Sequence, residues 1–213
     1  MDLIIWSTNF NHSDNEIDSC IESLEKLEVT PGGVIHTSYS SPPEDRPESI
    51  WKDKYDAIIA RALADLGVLK RVDYYYQYWM QTYNGGEEAH FTHDHFAGIE
   101  LFSFVHFIRP TSKKCFSFVD SYGKSNYPKQ DEGDFIVFPP WALHRVEPHK
   151  LDEKRCVVSG NLSLNSIHCP LGRNGGFKSS DVHYINDKTI VWSKSMSKTN
   201  EQMLKELPNI WFE

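Results

Sequence analysis

Three histidines crowd into the run GGEEAHFTHDHF: His90, His93 and His95 fall within six positions. Neutral imidazoles are good ligands for Fe, Zn, Cu or Ni. His93 and His95 are two apart, so an extended backbone puts both on one face. A further histidine, His144, follows the strand-like segment EGDFIVFPPWALHRV. A Gly-Asp turn feeds its apolar run, and Pro139 and Pro140 end it, because proline has no N–H for a sheet ladder. A histidine just past such an end suits the mouth of a barrel. Arg155 then opens another apolar run, RCVVSGNLSL. A guanidinium among inward-facing side chains is costly unless it meets a carboxylate, which its planar fork grips with two bonds. Each signal by itself has a plain structural reading: a polar loop, a surface histidine after a turn, an arginine paired with one of the protein's own acids. Their order along the chain gives the combination its weight. It points to a metal held by histidines and a carboxylate-bearing small molecule held by an arginine.

The elements that must position these residues are legible in outline. EIDSCIESLEKLE puts Ile17, Ile21, Leu24 and Leu27 on one helical face, with Asp14 as the cap. A loop rich in Pro, Gly and Ser runs from Thr30 to Pro47, and a second helix begins near Pro47 and stops at Gly67. Its buried face is read as Trp51, Tyr55, Ile58, Ile59, Ala62 and Leu66. Six strands follow: VDYYYQYWMQTY, GIELFSFVHFI, CFSFVD, DFIVFP, RCVVSGNLSL and KTIVWS. His106, inside the second of them, reads as a satisfied core histidine. A short helix is expected from Asn200 to Leu207. Helices first and strands after argue for an α+β, mainly β fold, with a sandwich or barrel of strands and the helices packed outside. One domain is expected, with residues 1–70 as helical support, 71–195 as the β core and 196–213 as a tail.

Composition agrees. The 213 residues are 39% hydrophobic and 24% charged, which suits one soluble, globular core. A formal net charge of −8 argues against broad nucleic-acid binding. Lys113, Lys114, Lys124 and Lys129 give one turn region a local positive bias, read as a solvated face. No run of 18 apolar residues would span a membrane, and the N-terminus lacks the basic region of a signal peptide. Cys20, Cys115, Cys156 and Cys169 show no CxxC spacing and read as reduced, mostly buried thiols in a cytoplasm.

The runs YWMQTYNGGEEAHFTHDH, GDFIVFPPWALHRVEP and RCVVSGNLSLN resemble the metal-binding, distal-histidine and arginine segments of 2-oxoglutarate/Fe(II) oxygenases related to the prolyl hydroxylases. Similar forms are common in tailed phages and marine bacteria. The resemblance covers roughly residues 74 to 165 and omits the N-terminal helices and the tail. It implies a double-stranded β-helix (jelly roll, cupin-like), Fe(II) as the metal, 2-oxoglutarate as cosubstrate and O2 as oxidant. The implied reaction couples decarboxylation to succinate with hydroxylation of a small-molecule or peptidyl substrate. A phage-encoded copy would work in the host cytoplasm.

Carried over residue by residue, His93 is the first ligand, His144 the distal ligand, and Arg155 the salt-bridge partner of the cosubstrate's far carboxylate. Tyr83, ten residues before His93, is implied to donate its hydroxyl to the same carboxylate. Ser159 shares a face with Arg155 and adds a hydrogen bond. His90 is read as fixing the second nitrogen of a metal-bound imidazole. The sequence departs from the family's triad in one place: two residues after His93 stands His95, not an acid. The proposed metal set is therefore His93, His95 and His144, with Asp94 and Glu100 as alternatives for the third ligand.

Two rival readings stand beside this one. In a cupin-type metal protein His93, His95, Glu100 and His144 would be the ligands, although Arg155 has no general role there and Trp141 stands where the second motif wants glycine. In a non-enzymatic β-barrel binding module the histidines would be incidental or structural. The stretch Thr30–Pro47 and the turn SYGKSNYPKQDE are the expected specificity loops.

Overall fold

The strands alternate cleanly between two environments, and that alternation builds the architecture. The computed structural model describes residues 3–27, 35–39, 41–42, 45–67, 74–86, 90–95, 100–150, 152–164, 184–186, 189–190 and 192–193. The chain opens with β1 (Trp6–Asn9) and α1 (Asp14–Leu24), followed by β2 (Ile35–Thr37). A 3₁₀ turn, Pro47–Trp51, leads straight into α2 (Lys52–Asp65). Then come β3 (Tyr74–Asn84), β4 (Glu100–Arg109), β5 (Phe116–Val119), β6 (Ser125–Asn126), β7 (Asp134–Phe138), β8 (His144–Val146) and β9 (Lys154–Leu164). Three short pieces follow: β10 (Tyr184–Asn186), β11 (Thr189–Ile190) and β12 (Trp192–Ser193).

A large antiparallel sheet has the order β1-β7-β4-β9-β3-β12, with β2 also paired to β3. A smaller sheet has the order β6-β5-β8. Along β3, β4 and β9, Tyr76, Tyr78, Phe104, Cys156 and Val158 turn toward α1 and α2 and form one core with Leu24, Tyr55 and Ile59. Their alternates, Tyr83, Val105, Phe107 and Val157, turn the other way and pack with Phe116, Phe118 and Val146 of the small sheet. Two facing antiparallel sheets with helices against the outer side of the larger one make an α+β, mainly β fold. This is the double-stranded β-helix that the sequence implies. Among the described residues no helix is long and apolar enough to cross a membrane.

Several local expectations need correction. The cap of α1 is Ser13, not Asp14: Ser13 and Glu16 form a reciprocal capping box, so Asp14 falls inside the first turn. Leu27 lies beyond the end of α1 and packs half-buried against the core. In α2 Leu63 is buried, whereas Ile58 and Leu66 are only half-buried. Gly67 does end the helix region, at φ +74°. The loop read from Thr30 to Pro47 contains β2, and β1 joins the large sheet through β7. The expected strand KTIVWS is divided into β11 and β12, and the expected helix at Asn200–Leu207 lies outside the described residues. Cys20, Cys115 and Cys156 are buried free thiols, and Cys169 lies outside the described residues.

Two buried polar groups tie the helical layer to the sheet. His106 accepts the Tyr55 hydroxyl at Nδ1 (2.8 Å) and donates from Nε2 to the Phe10 carbonyl (2.9 Å), which confirms it as a satisfied core histidine. Glu48, fully buried, accepts from the Ser38 hydroxyl (2.5 Å) and from the Met80 amide (3.0 Å), fastening the 3₁₀ turn to β3.

Gly160 is required by close approach. A Cβ there would meet the Phe104 ring at 2.2 Å and the Gln77 carbonyl at 2.5 Å. Gly160→Ala is expected to destabilise the protein by about 1–3 kcal/mol, read from chemical denaturation midpoints. Acid should act through the helical layer too. Burial holds His106 at about 3 and His12 at about 4, both below the 6.5 of an unfolded chain. The folded state therefore binds fewer protons, so this contribution is full above pH 6.5 and is lost as pH falls toward 4 and 3. The denaturation midpoint should drop between pH 7 and pH 5, and drop less in His12→Phe, which cannot titrate.

Candidate metal centre

The metal segment is held by backbone bonds before any side chain takes part. The His93 amide donates to the His144 carbonyl (3.0 Å), and the His144 amide donates back to His93 (2.9 Å). The His95 amide donates to the Pro140 carbonyl (2.8 Å). Pro139 and Pro140 end β7, and the turn through Ala142 delivers His144 as the first residue of β8. The expected distal histidine at a strand's end is thus placed directly beside the histidine pair.

Side-chain nitrogens of His93, His95 and His144 all lie within 4.8 Å of one another. The Nδ1 atoms of His93 and His144 are each taken by a carbonyl two residues back: Phe91 at 2.7 Å and Ala142 at 2.8 Å. Those acceptors put the protons on Nδ1 and leave both Nε2 lone pairs free to ligate. Nε2 of His95 stands 3.2 Å from Nε2 of His144. A proton or a cation must lie between two nitrogens so close. Two ligands about 2.1 Å from one ion, at an angle near 90–110°, stand about 3.0–3.4 Å apart, so the spacing fits a shared metal. Burial, reinforced by neighbouring imidazoles, pushes His95 down to about 3 and His144 to about 4. The Ala142 carbonyl opposes this at His144 without reversing it. Both rings are neutral at pH 7, the form that binds metal.

Asp94 is exposed, and neither it nor Glu100 belongs to the cluster; Glu100 is the first residue of β4, paired with Ser163. The cupin ligand set is therefore not assembled. No hydrogen bond joins His90 to His93, His95 or His144 among the described residues, and Phe91 holds Nδ1 of His93. The His90 ring lies edge-on to Tyr83, and its Nδ1 is 3.4 Å from the Tyr83 hydroxyl.

Behind the histidines the cavity runs inward between the sheets. Tyr83 pairs with Arg155, Gln81 with Val157 and Trp79 with Ser159, so six side chains of β3 and β9 share one wall. Arg155 is 2% exposed, stacks 4.8 Å from the centroid of the Tyr83 ring, and its Nη1 meets no hydrogen-bond partner among the described residues. No carboxylate lines the cavity among those residues. A buried guanidinium with an idle N–H costs stability unless an anion arrives. Ser159 lines the cavity half-buried, as its shared face with Arg155 implied. Gln81 and Trp79 escaped the sequence reading, yet counting back by twos from Tyr83 finds them. The lysine bias near the turn is partly neutralised: Lys113 meets Glu147 at 3.3 Å, and Lys129 meets Asp131 and Asp134 at 3.1 Å.

No protein-family model matches the chain, and no curated protein matches it. Solved structures do. A prolyl-4-hydroxylase from Pseudomonas putida superposes with a TM-score of 0.55 at 13% identity, covering 74% of this chain and 91% of that one. HygX from Streptomyces hygroscopicus, with nickel and 2-oxoglutarate bound, gives 0.54 at 10% identity, covering 75% and 82%. A prolyl hydroxylase from Trichoplax adhaerens, bound to a peptide fragment of hypoxia inducible factor, gives 0.53 at 11%, covering 74% and 82%. At such identities the likeness defines a fold, the double-stranded β-helix of 2-oxoglutarate/Fe(II) oxygenases.

The site's geometry makes a direct prediction. His144→Ala should lower affinity for Co(II), used as a spectroscopic metal, by at least about 100-fold, since one of three ligands is gone. Glu100→Ala should leave that affinity within a few-fold. Equal losses in the two variants would restore the cupin ligand set.

Proposed function

We propose that the protein is an Fe(II)- and 2-oxoglutarate-dependent oxygenase that hydroxylates a small-molecule or peptidyl substrate. The observation that carries this reading is the buried, incompletely bonded Arg155 at the inner end of a cavity whose mouth holds three convergent histidines. A dicarboxylic oxoacid fits both ends: its keto-acid end belongs at the metal and its far carboxylate at the guanidinium. Arg155, Tyr83 and Ser159 are the anchoring set, and His93, His95 and His144 the metal set.

When bound, Fe(II) and 2-oxoglutarate would supply the oxidising chemistry with O2. The protein's own part is positioning and exclusion of water. Arg155 pulls the far carboxylate inward and loses its unsatisfied donor. Val105, Phe116 and Val157 give the cavity an apolar lining that keeps water out. The three imidazoles occupy one side of the ion, which leaves positions for cosubstrate and O2. They bring no negative charge, so the metal and Arg155 together favour a dianionic cosubstrate more strongly than a site containing a carboxylate would.

Substrate choice belongs to the exposed rim. The solved relatives show a range of occupants: one holds a peptide fragment, and HygX has been captured with hygromycin B. A cytoplasmic setting is part of the proposal and is supported by the unpaired cysteines. A phage or marine bacterial source rests on the sequence resemblance.

The test is anaerobic. Metal-free protein loaded with Fe(II) and titrated with 2-oxoglutarate should develop a weak, saturable visible charge-transfer band. Arg155→Ala should weaken oxoacid binding about 10- to 150-fold while iron stays bound, the loss of one charge-assisted hydrogen bond worth about 1.5–3 kcal/mol. Iron binding with no band would overturn the oxoacid assignment.

A further inference from the structure

A second cavity adjoins the turn that delivers His144. Its volume is about 310 Å³, within the range of small-molecule sites. Trp141 and Leu143 of the turn line it together with Leu3 and Phe118. Trp141 is 56% exposed and Leu143 41%, yet the backbone that carries them is held. The Ala142 amide donates to the Pro139 carbonyl (3.0 Å), and the Val119 amide donates to the Leu143 carbonyl (2.8 Å). An indole presented on a fixed turn costs little ordering entropy when a ligand arrives.

The polar part of the lining is Asp120, Ser121 and Asn126. Ser121 and Asn126 belong to SYGKSNYPKQDE, one of the two stretches expected to set specificity. Asp120 is built into the start of that turn. Its Oδ1 accepts from the Tyr122 and Lys124 amides, each at 2.9 Å. Its Oδ2 meets no hydrogen-bond partner among the described residues, and no lysine or arginine among them lines the cavity. A carboxylate beside an apolar hollow with an indole in its wall selects an organic cation. The charge attracts it, and the ring face binds it. The net charge of −8 also disfavours an anionic guest.

Position ties this cavity to the metal centre. Phe118 stands opposite His144 in the pairing of β5 with β8, and Ala142 both lines the cavity and holds Nδ1 of His144. Trp141 follows Pro140, whose carbonyl holds the His95 amide. Asp120 follows β5, one strand farther from His93 than β8.

We propose that this cavity seats the charged end of the substrate, a small organic ammonium compound with an apolar stem. The ammonium meets Asp120, and the stem runs past Trp141 toward the histidines. The role as a substrate site rests on the oxygenase reading, whereas cation binding stands without it.

The probe is hexyltrimethylammonium, whose nitrogen cannot ligate a metal, and hexan-1-ol is its uncharged counterpart. In Zn(II)-loaded protein the probe should shift the indole nitrogen-15 resonance of Trp141, assigned through Trp141→Phe, with a Kd at least tenfold below that of the alcohol. Asp120→Asn keeps the Oδ1 acceptor that the turn needs, and should bring the two Kd values within twofold of each other. Trp141→Ala, followed through the ligand's own proton signals, should weaken both ligands at least fivefold. With Co(II) in place of Zn(II), the terminal methyl protons of the bound probe should relax faster than its N-methyl protons, because the stem leads to the metal. Equal affinity for probe and alcohol in the wild type, or an unchanged probe Kd in Asp120→Asn or Trp141→Ala, would overturn the cation site. Faster relaxation at the N-methyl protons, or no effect of Co(II), would overturn the substrate role. Failure of the oxygenase reading shows separately, as a missing 2-oxoglutarate band with cation binding intact.

Discussion

The pairing of β3 with β9 is the constraint on which the interior depends. Eleven consecutive residues of each strand face one another, from Tyr74 opposite Leu164 to Asn84 opposite Lys154. Side chains change face at every residue, so this one register decides which of two environments each side chain enters. It sends Tyr78 and Val158 to the helices, and Tyr83 and Arg155 to the cavity. A slip of one residue would bury the guanidinium against α2 and leave Cys156 facing the histidines. Gly160 guards the same pairing from the other side, where Phe104 fills the space a side chain would need.

The cavity built on that register has one electrostatic character from end to end. Its polar groups are imidazoles, a phenol, an indole, an amide, a hydroxyl and one guanidinium, with no acid among the described lining residues. Burial is the main reason the imidazoles of His90, His95 and His144 stay unprotonated, because a cation in that setting would lose hydration without gaining a counter-charge. The protein thus presents lone pairs at the mouth and a positive charge within. That ordering suits a ligand whose two ends differ: one chelating, one purely anionic.

The fold was readable from the sequence where a strand had strong alternation or a strong terminator. GIELFSFVHFI appears as β4 because apolar residues dominate both of its faces, and RCVVSGNLSL as β9 because Cys156, Val158 and Leu162 alternate with polar residues and line one face. DFIVFPP announces its own end through the prolines. The short strands β2 and β8, of three residues each, carry too little pattern to be seen, and β1 was hidden in an apolar N-terminus. The two-apart histidines and the arginine at a strand's start gave away the site because each obeys a local rule. The partner of His90 obeys none: Tyr83 lies seven residues earlier in the chain, and only the folded chain brings the two rings together.

The clamps on His93 and His144 are carbonyls, and a carbonyl belongs to every residue type alike. The Phe91 side chain is 92% exposed, so this residue serves the ligand through its backbone alone. The aim of the ligands is therefore written in the course of the main chain and not in the letters that flank them. A lineage could replace most residues around such a site and still inherit its geometry. That offers one reason a chain can share a fold at 13% identity while no family model matches it.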